Sequence, residues 1–211
     1  MIKRIRLMDH TTADHGAAAA LPAPQDVRPV RTVLCTALPD VLPGPRFAAI
    51  SLQWFADAAH LTRFASWLAS PDGAAEPGSG QVVVVREHPL RGAEWLERRW
   101  REGGARLKHM AIARRAEHLT PDEFSDRWRD RAGRVGAVAI PARARGQAYV
   151  QNHPLPKSEG TWPFDAVNEV YFDDLDGLRE RIAWFAEHVD GTGEDDLVGE
   201  HWFVAVREEV L

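Results

Sequence analysis

Between Phe164 and Phe172 the side chains alternate: Phe164, Ala166, Val170 and Phe172 share one parity, and Asp165, Val167, Glu169 and Tyr171 the other. A two-residue period marks a strand whose faces meet different surroundings. Leu107–Ala113 and Gln147–His153 read as strands in the same way, and His201–Arg207 as a closing one. The Pro/Gly/Ser-containing stretch 154–163 joins the middle two. Helical spacing takes over after Asp173 and Asp174, where Leu175, Leu178, Ile182, Phe185 and Val189 recur. Upstream, Thr120-Pro121-Asp122-Glu123 is a capping box with proline at the first helical position, opening a helix that carries Phe124 and Trp128 one turn apart. The predicted order is βαββαβ, the ferredoxin-like unit.

The same pattern occurs twice. Sliding residues 30–70 onto 147–187, an offset of 117, gives ten identities in 41 positions, among them Val33/Val150, Phe47/Phe164, Phe55/Phe172, Asp57/Asp174 and Trp67/Trp184. Composition alone gives roughly two or three. After a loop four residues longer in the second copy, Val83, Val85 and Arg86 fall on Val204, Val206 and Arg207. Lys3 corresponds to Lys108 at an offset of 105, so the first copy lacks about a dozen residues, and the Ala/Pro-rich segment Ala17–Pro29 cannot hold a full first helix. The expected organisation is a worn ferredoxin-like repeat over 1–90, a connecting helix over 91–106 and a complete repeat over 107–211. Two such sheets bury their bare faces against each other. The predicted fold is therefore α+β, two ferredoxin-like repeats forming an intramolecular dimeric α+β barrel.

Parity then proposes a site. If the more apolar side of each strand cushions the helices, His109, Tyr149, Gln151, His153, Asp165, Glu169 and Tyr171 converge on the enclosed face. Leu34, Leu52 and Trp54 line the opposite wall in the first copy, with Arg4 and Arg6 on the same inner side. Cys35 takes the helix-facing parity as a small buried hydrophobe. An apolar ligand resting on one wall with its reactive atoms turned to the other fits this asymmetry.

Composition narrows the partners. Hydrophobic residues make up 45% and charged residues 27% of 211, with a formal net charge of -5. No basic tract offers a phosphate footprint, so nucleic acid is not an expected partner. Cys35 is the one cysteine, which fits a reducing compartment. The N-terminal segment shows no apolar signal region and no stretch approaches a membrane span, so a cytoplasmic location is expected. Asp9-His10 and Asp14-His15 lack a third ligand and read as a solvated loop.

The C-terminal copy resembles the EthD domain over roughly residues 107–208. The resemblance is carried by Leu119-Thr120-Pro121-Asp122-Glu123-Phe124, by Trp128-Arg129-Asp130, by Tyr149-Val150-Gln151-Asn152-His153 and by Phe164–Phe172. It implies the dimeric α+β barrel superfamily, which includes cofactor-independent anthrone oxygenases, polyketide cyclases and muconolactone isomerases. Similar sequences carry His-x-Pro where this chain has Ala132-Gly133-Arg134. The expectation is a cofactor-independent enzyme acting on a hydrophobic aromatic, polyketide-like or lactone substrate, as a one-chain pseudo-dimer or a homodimer. His153 and Glu169 would move protons, Tyr149 would donate a hydrogen bond to a substrate oxygen, and Gln151, Asn152 and Tyr171 would line the site. A passive ligand-binding or accessory protein is the alternative. A haem-binding barrel with His153 or His109 as axial ligand is a third.

Overall fold

A computed structural model describes residues 1–211 apart from 13, 74, 75, 77, 104, 105, 131–133, 136, 137, 158 and 189–196. Each alternating segment is a strand. The first half contributes β1 (Ile2–Met8), β2 (Arg31–Ala37), β3 (Ala49–Phe55) and β4 (Gly80–Arg91). The second contributes β5 (Arg106–Arg115), a small hairpin of β6 (Arg134–Val135) and β7 (Val138–Ala139), then β8 (Ala148–Pro154), β9 (Ala166–Phe172) and β10 (Val198–Val210). Eight of these close into one antiparallel barrel in the order β1-β3-β2-β10-β5-β9-β8-β4. Closure leaves no edge strand among the eight.

Five helices lie against this wall or across its end: α1 (His15–Ala19), α2 (Ala58–Leu68), α3 (Ala93–Glu102), α4 (Pro121–Asp130) and α5 (Leu175–His188). In the Ala/Pro-rich part of the first half, where no full helix was expected, α1 has only five residues. The capping box of α4 forms as its sequence requires: the Thr120 amide donates to Glu123 at 2.9 Å and the Glu123 amide to the Thr120 hydroxyl at 3.3 Å. Asp174 caps α5 through the Gly177 amide at 2.8 Å. On the outer wall α2 sets Phe64 against Phe55, α4 sets Phe124 on Ala113 and Ala166, and α5 sets Leu178 on Val170 and Phe172.

An eight-stranded barrel is just wide enough for side chains to fill it. Ile5, Leu7, Val33, Leu52, Val83, Val85, Met110, Ile112, Val167, Val204 and Val206 do so, all buried in one cluster. The expected ligand space between two unlike walls is therefore core. At one end α3, the predicted connecting helix, lays Trp100 against Trp54, with the Arg31 and Arg106 guanidinium carbons 3.6 and 4.0 Å from the Trp100 ring.

Strand register corrects the parity. Residues paired across adjacent strands project on the same side of the sheet. Glu169 pairs with Val150 and with Met110, and Val167 pairs with Asn152. Val150, Asn152 and Met110 thus point inward with Glu169, while Tyr149, Gln151, His153 and His109 point outward. In the first half Leu52 and Trp54 point inward as expected. Leu34 packs outside with Met8, Ala18, Ala19 and Ala49, and Arg4 lies outside over the Phe64 ring. Cys35, expected beneath the helices, is in the inner core. The reason is physical: both faces of these strands are buried, so apolarity cannot say which of them meets a helix.

Candidate functional site

Two polar assemblies occupy the two sides of the wall. The inner one is ionic. Glu169, on the middle of β9, accepts from Lys3, from Lys108 at 2.6 Å, from Asn152 at 3.0 Å and from the Tyr171 hydroxyl at 2.9 Å. Lys3 also reaches Glu87 at 3.1 Å and lies over the Trp54 ring, whose indole N–H donates to Glu87 at 3.0 Å. Lys108 pairs with Glu208, and Glu208 accepts from Arg106 at 2.8 Å. Ion pairs among the described residues thus join three cations (Lys3, Arg106, Lys108) to three carboxylates (Glu87, Glu169, Glu208) inside the barrel, with the Arg31 guanidinium adding positive charge near Glu87 and Glu208 at its end. Such pairing is the condition for keeping charges in a medium that cannot hydrate them.

To move protons near neutral pH, Glu169 would need a raised pKa. Burial does push it up, but Lys108 and Lys3 push harder the other way and hold the carboxyl well below the usual range. Burial pulls Lys108 down, and the anionic groups around it more than offset that, so its ammonium persists far into alkaline pH. Tyr171 is raised by burial and by the neighbouring carboxylate. Cys35, 3.7 Å from the Lys108 ammonium, is pushed up to about 12 by burial. Glu169 is fully buried, ionised at neutral pH and out of contact with His153. Trp54, Tyr171 and Asn152 belong to the same inner assembly; Leu52 lies in the core beside it.

The outer assembly runs along β8 and beneath α4. The indole N–H of Trp128 donates to the Asn168 side-chain oxygen at 3.3 Å, and the Trp128 carbonyl accepts from the Gln151 amide nitrogen at 3.3 Å. An indole only donates and a carbonyl only accepts, so Trp128 fixes the orientation of both amides. Their nitrogens then converge on one atom. Gln151 at 3.0 Å and Asn168 at 3.1 Å both donate to the Tyr149 hydroxyl oxygen. With Gln151 held this way, its oxygen accepts from Nε2 of His153 at 3.1 Å, which makes the neutral ring an Nε2–H tautomer. Nδ1 of His153 is left to accept from the Ser125 hydroxyl at 3.1 Å.

Burial, with His88 packed edge-on at 5.1 Å and Arg129 nearby, lowers the His153 pKa to about 4. Its ring is neutral at pH 7. Ser125 on α4 is half-buried and forms the accessible end of the chain. Tyr149 is raised by burial.

The remaining expected residues are dispersed. His109 is buried under α5, stacked on Phe203 at 5.1 Å and edge-on to Phe185 at 5.2 Å. Its Nδ1 accepts from Arg181 at 2.9 Å, and burial plus that cation keeps it neutral. Asp165 pairs with Arg115 and accepts the Arg115 amide at 3.0 Å, on the wall of a surface cleft of about 410 Å³ that includes Trp162 and Arg114. Ala132 and Gly133, where EthD-like sequences were expected to carry His-x-Pro, lie outside the described residues.

Sequence reasoning missed Lys108, Glu208, Ser125, Asn168 and Arg181. Lys3 and Lys108 carried a signal, being lysines that the sequence repeat sets at corresponding positions. Ser125 carried none, since a lone helical serine has many uses. No protein-family model and no curated protein matches the chain, so function rests on this geometry.

Proposed function

We propose that the chain is a duplicated ferredoxin-like protein of the EthD-like, dimeric α+β barrel class, closed on itself, with a small-molecule site on the outer wall of its C-terminal half. Each half contributes its strands in the order 4-1-3-2, β4-β1-β3-β2 and β10-β5-β9-β8. The pairs Lys3–Glu87 and Lys108–Glu208 sit on equivalent strands. Both features support duplication.

The activity proposed is cofactor-independent proton transfer on a hydrophobic aromatic, polyketide-like or lactone substrate. The observation that carries it is the connected chain Ser125–His153–Gln151–Tyr149, whose ends are a neutral imidazole with a relay hydroxyl and a phenol. The Tyr149 hydroxyl would hydrogen-bond a substrate carbonyl oxygen. A proton leaving the adjacent carbon passes to the Ser125 oxygen as the Ser125 proton moves to Nδ1 of His153, and the resulting enolate negative charge rests on the oxygen facing Tyr149.

The test is deuterium uptake in D2O from a panel of enolisable ketones, lactones and phenols, followed by NMR. Uptake above buffer that is lost in His153→Gln and reduced in Tyr149→Phe is the expected result. Uptake equal to buffer across the panel overturns it. A second reading, a non-catalytic ligand-binding protein, is favoured by the lowered His153 pKa, because a ring that protonates near 4 is a weak base at neutral pH. Binding without uptake would establish that reading.

A further inference from the structure

The Tyr149 hydroxyl oxygen accepts two hydrogen bonds, from Gln151 and Asn168, and Trp128 fixes the sense of both. Its own hydrogen finds no acceptor among the described residues. Arg91 is the β4 residue paired with Tyr149, and His109 lies two strands from Tyr149 along the same row, beyond Val170. Over that row α5 suspends Arg181, 5% exposed, whose Nε donates to His109 and whose Nη1 donates to the Ala144 carbonyl at 2.7 Å. Nη2 of Arg181 has no partner among the described residues. Arg91 donates to the Arg145 carbonyl. Neither arginine meets a carboxylate among the described residues; the nearby Glu180 is taken by Arg143 at 3.4 Å.

A buried guanidinium without a counter-ion is costly, and guanidinium always keeps its charge. Arg181 Nη2 and the Tyr149 hydroxyl hydrogen are donors with no acceptor among the described residues, set beside the positive charge of both arginines. We propose that Arg181, Arg91 and the Tyr149 hydroxyl form an oxyanion subsite, and that the ligand of this protein is a small organic carboxylate. The inference rests on the outer-wall reading of the site above and adds the chemical class of what binds there. In a carboxylate ligand one oxygen takes Arg181 Nη2 and the other takes the single Tyr149 proton, the place a neutral substrate would fill with its carbonyl oxygen, and Arg91 supplies charge from the open side. The apolar body of the ligand then extends along β8 toward Ser125 and His153.

Intrinsic tryptophan fluorescence or calorimetry at low ionic strength, with benzoate, benzamide and inorganic phosphate as probes, tests this. Benzoate is expected to bind about tenfold or more tightly than benzamide, the ratio that charge-assisted bonds give. Tyr149→Phe and Arg91→Gln, both at half-buried positions, should each weaken benzoate several-fold, and more than they weaken benzamide. Arg181→Gln should do so most strongly; if it fails to fold, the other two variants still decide. Equal binding of benzoate and benzamide, no benzoate binding at all, or benzoate affinity untouched by Arg91→Gln and Tyr149→Phe overturns the inference. Phosphate binding tighter than benzoate overturns it in favour of an inorganic anion site. Benzoate preference without deuterium uptake sinks only the catalytic reading, and uptake on neutral substrates with no carboxylate preference sinks only this one.

Discussion

Replacing Glu169 by glutamine keeps shape and removes one charge from the centre of the barrel. The side chain is fully buried and is held by Lys3, Lys108, Asn152 and Tyr171. After the exchange three interior cations face two carboxylates, and the new amide has one oxygen for two ammonium groups. Its nitrogen must point at a donor. Breaking a buried ion pair by removing one partner costs about 3–5 kcal/mol. A protein of this size loses roughly 2–4 °C of Tm per kcal/mol, so a drop of roughly 6–20 °C is expected. Lys3→Met in the same background restores the balance of charge. The double variant should therefore be less destabilised than the sum of the singles, by more than about 1 kcal/mol. Calorimetry and urea titration on the four proteins measure both quantities. A Glu169→Gln change below about 1 kcal/mol, or strict additivity with Lys3→Met, would refute the buried network.

Other consequences are simpler. Thr120→Ala removes the hydroxyl that accepts the Glu123 amide and donates to the Glu123 carboxylate in the α4 capping box and should cost about 1 kcal/mol by urea titration, with Thr120→Ser restoring most of it. Gly92 precedes α3 at φ 74°, and a Cβ there would meet the Gln147 carbonyl oxygen at 2.3 Å and the Ala148 Cα at 2.7 Å. Gly92→Ala should therefore lower stability by roughly 1–3 kcal/mol, read from the urea midpoint. Acid acts through His153 and Glu169. The folded pKa of His153 is about 4, below an ordinary value of roughly 6.5. The unfolded chain thus takes up the proton first, and stability falls as pH drops from about 6.5 to about 4; buried His109 acts in the same sense. His153→Gln should flatten the urea-derived stability profile over that window. The Glu169 contribution is complete above roughly pH 4.3 and declines as pH falls below it, so the Glu169→Gln variant should show a shallower acid limb there.

The strands, the two strong helix starts and the shortness of the first helical segment were legible because each rests on local chemistry. Alternation marks a strand wherever its faces differ, and Thr120 with Glu123 closes a cap without outside help. Which face of β5 and β8 turns inward was not legible. Met110, Val150, Leu178 and Phe185 are all buried, the first two inside the barrel and the last two above it. β9 was oriented correctly because Glu169 and Tyr171 differ sharply from Ala166 and Val170. His153 and Glu169 were each identified as residues of consequence, but the sequence could not reveal that a sheet separates them. Lys3 and Lys108, which determine the charge state of Glu169, are distant from it in sequence by 166 and 61 positions. No local pattern links such residues.

The separation of His153 from Glu169 by the barrel wall is measured most directly by the NMR titration of the His153 ring in the wild type and in Glu169→Gln. The structure requires an Nε2–H tautomer at neutral pH and a pKa near 4, with the same value in the folded population of the variant. A wild-type pKa at or above about 6.5, or one that falls when the Glu169 charge is removed, would mean that the two residues share a cavity.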